Sequence, residues 1–77
     1  METIKYLSVE SQWIGGSERP SDLTSMVNNF RNKFMGCSLK KGTQLTMVYE
    51  NHMMLLTVKN DVNGIVTLET DVGMCFV

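Results

Sequence analysis

The chain has 77 residues, of which 43% are hydrophobic and 19% charged, and its formal net charge is −1. This composition predicts one small globular domain, residues 1–77, and excludes a disordered segment. A chain of this length buries only about 60% of the surface that its unfolded form exposes, so we expect modest stability. Domains of this size are commonly stabilised by disulfides, a metal or a partner subunit.

The two cysteines, Cys37 and Cys75, are far apart in the sequence and form no Cys-x-x-Cys pair. With His52 they offer three ligands at no familiar zinc spacing, so we expect no metal and no cofactor. We interpret both cysteines as small buried residues. The N-terminus has no uninterrupted apolar core of a signal peptide, and no apolar run approaches the ~18 residues of a membrane span. We therefore expect a cytoplasmic protein without membrane contact.

Residues 3–10 are rich in β-branched and aromatic side chains, which predicts a first strand. Both faces of this strand are apolar, because Ile4 and Tyr6 lie on one and Leu7 and Val9 on the other. Such a strand is central in a sheet or covered on both faces. The following residues, 11–21, contain a Gly pair and the single Pro, which predicts a surface loop.

Residues 22–35 show the clearest helical pattern. Ser21 is a suitable N-cap, and the carboxylate of Asp22 lies where it favours the helix dipole. Gly36 can adopt the left-handed conformation that closes a helix. The apolar side chains recur at helical spacing in one stripe: Leu23, Met26, Val27, Phe30 and Phe34. The sequence therefore predicts a helix with one face directed to the core.

After a turn at residues 38–42, residues 43–59 alternate in a way that predicts a β-hairpin. A two-residue turn at Asn51 and His52 places apolar side chains opposite one another on one face. The predicted pairs are Tyr49 with Met54, Met47 with Leu56, and Leu45 with Val58.

A three-residue loop of Val62, Asn63 and Gly64 would start a second hairpin, in which Val58 pairs with Leu68. The even-numbered residues from Val66 to Phe76 then stay on the core face, and Gly73 is a point where this strand can bend or break. These elements predict an α+β fold, a small antiparallel sheet of order β-α-β-β-β, or with a fifth strand, and one helix packed across one face. A small SH3-like barrel is the alternative, because residues 39–50 resemble the Gly-then-alternating entry of such barrels.

An unbroken run of large apolar residues follows His52, so this strand presents apolar side chains on both faces. Met53 and Leu55 point away from the core face, and the hairpin brings Val48 beside them. Either Trp13, Ile14 or the first strand covers this patch, or it is a contact surface for another protein or a second copy. A lone Trp can likewise fill the core or anchor an interface. The candidate interface residues are Trp13, Val48, His52, Met53 and Leu55.

A polar group at the end of the helix and in the next turn is a candidate anion site: Asn28, Asn29, Arg31, Asn32, Lys33, Lys40 and Lys41. Positive charge and amide donors suit phosphate binding. However, the chain is slightly acidic, and Phe30 and Phe34 lie on the buried stripe, where they offer no stacking platform for bases. Cations near a helix C-terminus also stabilise the helix itself.

No catalytic group is indicated, because His52 and the cysteines lack an orienting partner and an oxyanion site. The sequence therefore predicts a non-enzymatic binding or regulatory protein that acts by stoichiometric contact with another protein or with itself, as a homodimer or small oligomer. Small inhibitors of host factors from phages and mobile elements are of this type. The alternatives are a small-ligand or nucleotide binder with a site at an oligomer interface and a nucleic-acid-binding module.

Overall fold

The computed structural model describes residues 2–14 and 22–77. Along the chain the elements are β1 (Tyr6–Ile14), α1 (Leu23–Phe34), β2 (Ser38–Lys40), β3 (Gln44–Tyr49), β4 (His52–Val58), β5 (Asn63–Ile65) and β6 (Asp71–Phe76). Four strands form one sheet in the order β3-β4-β1-β6, and β2 and β5 form a separate two-stranded sheet. The α+β class is confirmed. The larger sheet begins at β3 and ends at β6 without closing, so the SH3-like barrel is wrong.

The larger sheet is mixed, since β1 runs antiparallel to β4 and parallel to β6. The prediction of a purely antiparallel sheet is therefore wrong. β1 is a central strand, one of the two placements that its apolar faces predicted. The predicted bounds, residues 3–10, are wrong at both ends, because β1 begins at Tyr6 and continues through Ser11–Ile14, expected in a loop, in its ladder with β4.

The second predicted hairpin does not form, because Asn63–Ile65 pairs with β2, with Gly64 opposite Leu39. Residues 66–70 turn instead of extending, and the hydroxyl of Thr70 accepts a hydrogen bond from the Thr67 backbone N–H (3.0 Å). Leu68 lies on this turn with 67% of its surface exposed, so its predicted place on the core face is wrong. β6 runs through Gly73 without a break.

α1 begins after Asp22, whose side chain accepts a hydrogen bond from the Ser25 backbone N–H (3.1 Å) and is therefore the N-cap. This bond, with a second from the Ser25 hydroxyl, lowers the pKa of the Asp22 carboxyl. Ser21, the predicted N-cap, lies outside the described residues. Met26, Phe30 and Phe34 of the predicted apolar stripe are buried, whereas Leu23, its first member, is 49% exposed.

The core lies between α1 and one face of the larger sheet. The helix crosses that face and contacts both outer strands, β3 and β6. Its buried side chains meet those of the sheet in one cluster, which includes Met26, Phe30 and Phe34 from the helix and Leu7, Val9, Met47, Met54, Leu56 and Val58 from the strands. The single helix packed on one face of the sheet is thus as predicted.

Cys37 and Cys75 are both exposed, so their interpretation as buried residues is wrong. Each has a free thiol. Among the described residues, no helix is long and apolar enough to cross a membrane.

Candidate interaction surface

The β3–β4 hairpin turns at Glu50 and Asn51, whose φ angles are 51° and 63°. Positive φ at both central residues is the mark of a type I′ turn. The observed partners are Val48 with Met53, Met47 with Met54, and Leu45 with Leu56. The predicted register is therefore wrong by two residues, but a two-residue shift leaves each side chain on its predicted face.

The face of the larger sheet opposite α1, here called the open face, carries an apolar patch formed by Ile14, Val48, Met53 and Leu55. Met53 pairs with Val48 on one side and with Ile14 on the other, so these three residues form one row across β3, β4 and β1. Their exposed fractions are 47% for Ile14, 55% for Val48 and 47% for Met53, and Leu55 is half-buried. Contiguous exposed apolar side chains of this kind commonly mark a contact surface.

The segments expected to cover the patch do not do so in the described part of the chain. β1 lies beside β4 in the plane of the sheet, and Ile14 adds to the patch as the partner of Met53. Trp13, one residue earlier, points to the opposite face because successive strand residues alternate.

Trp13 and His52 lie together on the core face, at the end of the sheet near the hairpin turn. Their rings meet edge to face with centroids 5.0 Å apart, and the Trp13 ring stacks on Phe76 at 6.3 Å. The two faces of the sheet thus divide the five candidate interface residues into two groups. Val48, Met53 and Leu55 share the open face, and Trp13 and His52 form an aromatic cluster on the other.

Polar side chains surround the patch on the open face. Gln12, Gln44 and Thr46 are exposed, and Glu10 lies farther along β1 with its Oε2 3.9 Å from Nζ of Lys59. Both side chains of this ion pair are well exposed, so it contributes at most about 1 kcal/mol. An apolar centre with a polar border is the usual anatomy of a protein–protein interface.

The predicted anion site is only partly assembled. Nη2 of Arg31 donates to Asn28 Oδ1 (3.0 Å), and Nη1 donates to the Leu68 carbonyl (3.3 Å). Nδ2 of Asn29 lies 3.4 Å from Sδ of Met47, and Nζ of Lys33 lies 5.7 Å from the centroid of the Phe34 ring.

The remaining members of the predicted anion site lie apart from this contact. Asn32 is exposed on α1, and Lys40 and Lys41 are exposed where β2 turns into β3. In the described residues, no hydrogen bond or ion pair joins Lys40 or Lys41 to the helix. Within the predicted anion site, Asn28 and Arg31 are therefore in contact, and the guanidinium of Arg31 already donates hydrogen bonds to the Asn28 side chain and the Leu68 carbonyl.

Two features of the surface escaped the sequence reasoning. Ile14 belongs to the patch, and the alternation of Glu10, Gln12 and Ile14 on one side of β1 would have revealed it had the strand been extended past residue 10. A shallow cleft of about 450 Å³ lies between the end of α1 and the Thr67–Thr70 turn, lined by Thr3, Met35, Gly36, Val66, Thr67, Leu68 and Glu69. No local signal predicts it, because its lining comes from segments distant in sequence.

Within residues 2–14 and 22–77, no cluster of three or more His, Cys, Asp or Glu residues could hold a metal ion.

Comparison with solved structures finds a similar fold in the protein PH1500. The N-terminal domain of PH1500 superimposes with a TM-score of 0.66 at 14% sequence identity, and the match covers 99% of each chain. PH1500 itself, described as a homohexameric protein centred on a 12-bladed β-propeller, matches with a TM-score of 0.62 at 15% identity. The match covers 99% of this chain and 51% of the PH1500 chain. At these identities the likeness establishes the fold alone. No protein-family model and no curated protein matches the chain.

Proposed function

We propose that the chain is a non-catalytic protein-interaction domain that acts by stoichiometric contact through the apolar patch of its open face. The observation that carries this proposal is the row of Ile14, Met53 and Val48 across three neighbouring strands. Three exposed apolar side chains in direct cross-strand contact lose unfavourable hydration when a partner covers them. The flexible side chain of Met53 suits an adaptable contact.

The partner that we propose first is a second copy of the chain. PH1500, which contains a domain of this fold, is described as homohexameric, and this supports self-association. The net charge of −1 supports it too, because two copies repel each other only weakly. An inhibitor of another protein would use the same surface in the same way.

The patch forms the centre of the contact and not its whole area. A stable interface buries about 800 Å² on each partner, about a sixth of the 4775 Å² of accessible surface of this chain. The patch must therefore be joined by the polar side chains around it, among them Gln12 and Thr46. Such a border supplies hydrogen bonds and excludes water from the centre.

The charged-ligand alternatives have less support. Two of the five N–H donors of Arg31 already bond to the Asn28 side chain and the Leu68 carbonyl, so a phosphate would share its guanidinium with these acceptors. Affinity for a nucleotide or nucleic acid would fall steeply with added salt. Association through the patch is expected to change little between low and high salt.

Sedimentation of Met53→Glu against Asn32→Glu tests the proposal. Both variants add one negative charge at an exposed position, but Met53 lies in the patch, whereas Asn32 lies on α1, on the opposite side of the sheet. We expect the wild-type chain to associate in the micromolar to millimolar range, Asn32→Glu to associate similarly, and Met53→Glu to lose at least about tenfold in affinity, since a charge in an apolar contact must be desolvated.

Circular dichroism of both variants controls for folding. Equal association by all three proteins, or a wild-type chain that sediments as a monomer throughout, contradicts self-association through the patch.

A further inference from the structure

Within residues 2–14 and 22–77, the outer edge of β3 has none of the common features that keep edge strands from pairing. Natural edge strands are commonly interrupted by Pro, charged side chains or bulges. β3, Gln44–Tyr49, contains no charged residue and no Pro. Its register with β4 runs from Gln44 to Tyr49 without a bulge. The strand is therefore a ready template for one more strand.

The alternation of the ladder identifies the backbone groups that this edge presents. The Val58 N–H donates to the Thr43 carbonyl (2.9 Å), so Thr43 and every second residue after it direct their backbone groups toward β4. The backbone groups of Gln44, Thr46 and Val48 consequently point outward. In the described part of the chain, no turn or loop hydrogen bond ends on these three residues.

The other outer strand, β6, is a poorer template. It carries Asp71 at its first position and Gly73 near its middle. A glycine weakens strand pairing because it loses more conformational freedom and offers no side chain to pack. β3 has instead exposed Thr46 and Val48, two β-branched residues that favour extended backbone.

We propose that β3 pairs antiparallel with β3 of a second copy about a two-fold axis at Thr46. Thr46 then lies opposite the partner's Thr46, and Gln44 lies opposite the partner's Val48. This pairing is independent of the apolar patch. It joins two four-stranded sheets edge to edge and leaves both open faces on the same side.

Charge at the two ends of β3 selects the antiparallel arrangement. Lys41 is exposed in the turn that precedes the strand, and Glu50 is exposed in the turn that follows it. In the two-fold pairing Lys41 lies beside the partner's Glu50, and the same contact occurs at the other end. Parallel pairing would bring Lys41 next to the partner's Lys41, which is unfavourable.

Zero-length carbodiimide cross-linking of the full chain tests the geometry directly, because it joins an ammonium and a carboxylate only when they are in contact. Within one chain, β3 separates Lys41 from Glu50 by at least about 17 Å, the rise of a six-residue strand. A Lys41–Glu50 link found by mass spectrometry in the cross-linked dimer must therefore join two copies. Absence of this link from the cross-linked dimer, or absence of any dimer, overturns the proposal.

Thr46→Pro against Thr46→Val tests the backbone contact. Pro removes the outward N–H of residue 46 and no bond of the β3–β4 ladder, whereas Val keeps both the N–H and the branched shape. We expect Thr46→Pro to weaken dimerisation at least about tenfold and Thr46→Val to retain it, because the symmetric pairing loses two hydrogen bonds. A folded Thr46→Pro that dimerises like wild type overturns the proposal.

A charge exchange keeps the proposal falsifiable if Thr46→Pro fails to fold. Lys41→Glu and Glu50→Lys should each weaken dimerisation and lose the Lys41–Glu50 link, and the two together should restore affinity. Failure of the double variant to recover affinity overturns the pairing. Met53→Glu distinguishes this contact from the apolar patch, because it leaves the edge of β3 intact and should retain the cross-link whether or not the patch associates.

Discussion

Substitutions at Gly64 test the fold, because the observed β2–β5 pairing and the predicted hairpin require different backbone conformations at this residue. In the structure Gly64 is a buried β5 residue opposite Leu39. On its other side runs the N-terminal segment, since the Ile65 N–H donates to the Glu2 carbonyl (2.9 Å) and the Ile4 N–H to the Ile65 carbonyl (2.8 Å). In the hairpin that the sequence predicts, Gly64 would instead occupy a left-handed turn position.

Replacing Gly64 by Ala should destabilise the protein by about 1–3 kcal/mol, the usual cost of overpacking. The new Cβ would collide with the Glu2 carbonyl oxygen and lie 3.2 Å from Cγ1 of Ile4. Detaching the N-terminal segment would cost two hydrogen bonds at about 1 kcal/mol each. It would also cost the burial of Ile4, about 1.5–3 kcal/mol. We therefore expect the segment to shift and stay attached.

Asn at the same position distinguishes the two arrangements. Gly64→Asn should be more destabilising than Gly64→Ala, because its larger side chain enters the same occupied space. Gly42 is the matched control: its φ is 88° and an added Cβ would meet nothing within 4 Å. There Gly42→Ala should cost about 1–2 kcal/mol, and Gly42→Asn less, because Asn tolerates left-handed backbone.

Urea denaturation of the four variants gives the free energies of unfolding. If Gly64→Asn is milder than Gly64→Ala, as at Gly42, then Gly64 lies in a left-handed turn and the β2–β5 pairing is refuted.

Three further predictions concern stability. Phe30→Ala should lower the free energy of unfolding, measured by urea denaturation, by about 3–5 kcal/mol, and Leu23→Ala should lower it by less than about 1 kcal/mol, because Phe30 is fully buried and Leu23 is half exposed. Equal losses would contradict the placement of α1. Thr70→Val should lower the free energy of unfolding by about 1–3 kcal/mol and Thr70→Ser should lower it less, because Val leaves the Thr67 N–H without its acceptor. A Thr70→Val variant as stable as wild type would show that the bond is dispensable. Asp22→Ala should lower the melting temperature at neutral pH. Since the folded pKa of Asp22 lies below its usual 3.8, the difference should shrink as the pH falls through that lowered pKa. A difference that does not change with pH would mean that ionisation is irrelevant to the cap.

The elements that depend on near neighbours could be predicted from the sequence. Met26, Phe30 and Phe34 recur at helical spacing, and each is buried in α1. The faces of β3 and β4 follow from alternation, which correctly places Val48 and Met53 together. Their register did not follow, because a shift by two residues leaves every face unchanged and both candidate turns contain Asn51.

The order of the strands could not be predicted, because it depends on a choice between distant partners. β4 could pair with the segment that follows it or with β1, and alternation is compatible with both. The structure pairs it with β1, which offers six consecutive partners from Val9 to Ile14, while residues 66–70 form a turn. The sequence prediction ended the first strand at residue 10, because the residues before the Gly pair were assigned to the surface loop, whereas β1 continues to Ile14.

The same long-range pairing decides the character of the candidate site. Parity alone could place Met53 away from the core, but exposure depended on whether β1 lay over that face or beside it. Because β1 lies beside β4, β1 itself does not cover the patch, and it adds Ile14 as the partner of Met53. It also leaves β3 as an outer strand, with Val48 at both the patch and the free edge. One pairing between distant segments therefore creates both surfaces on which the proposed contacts depend.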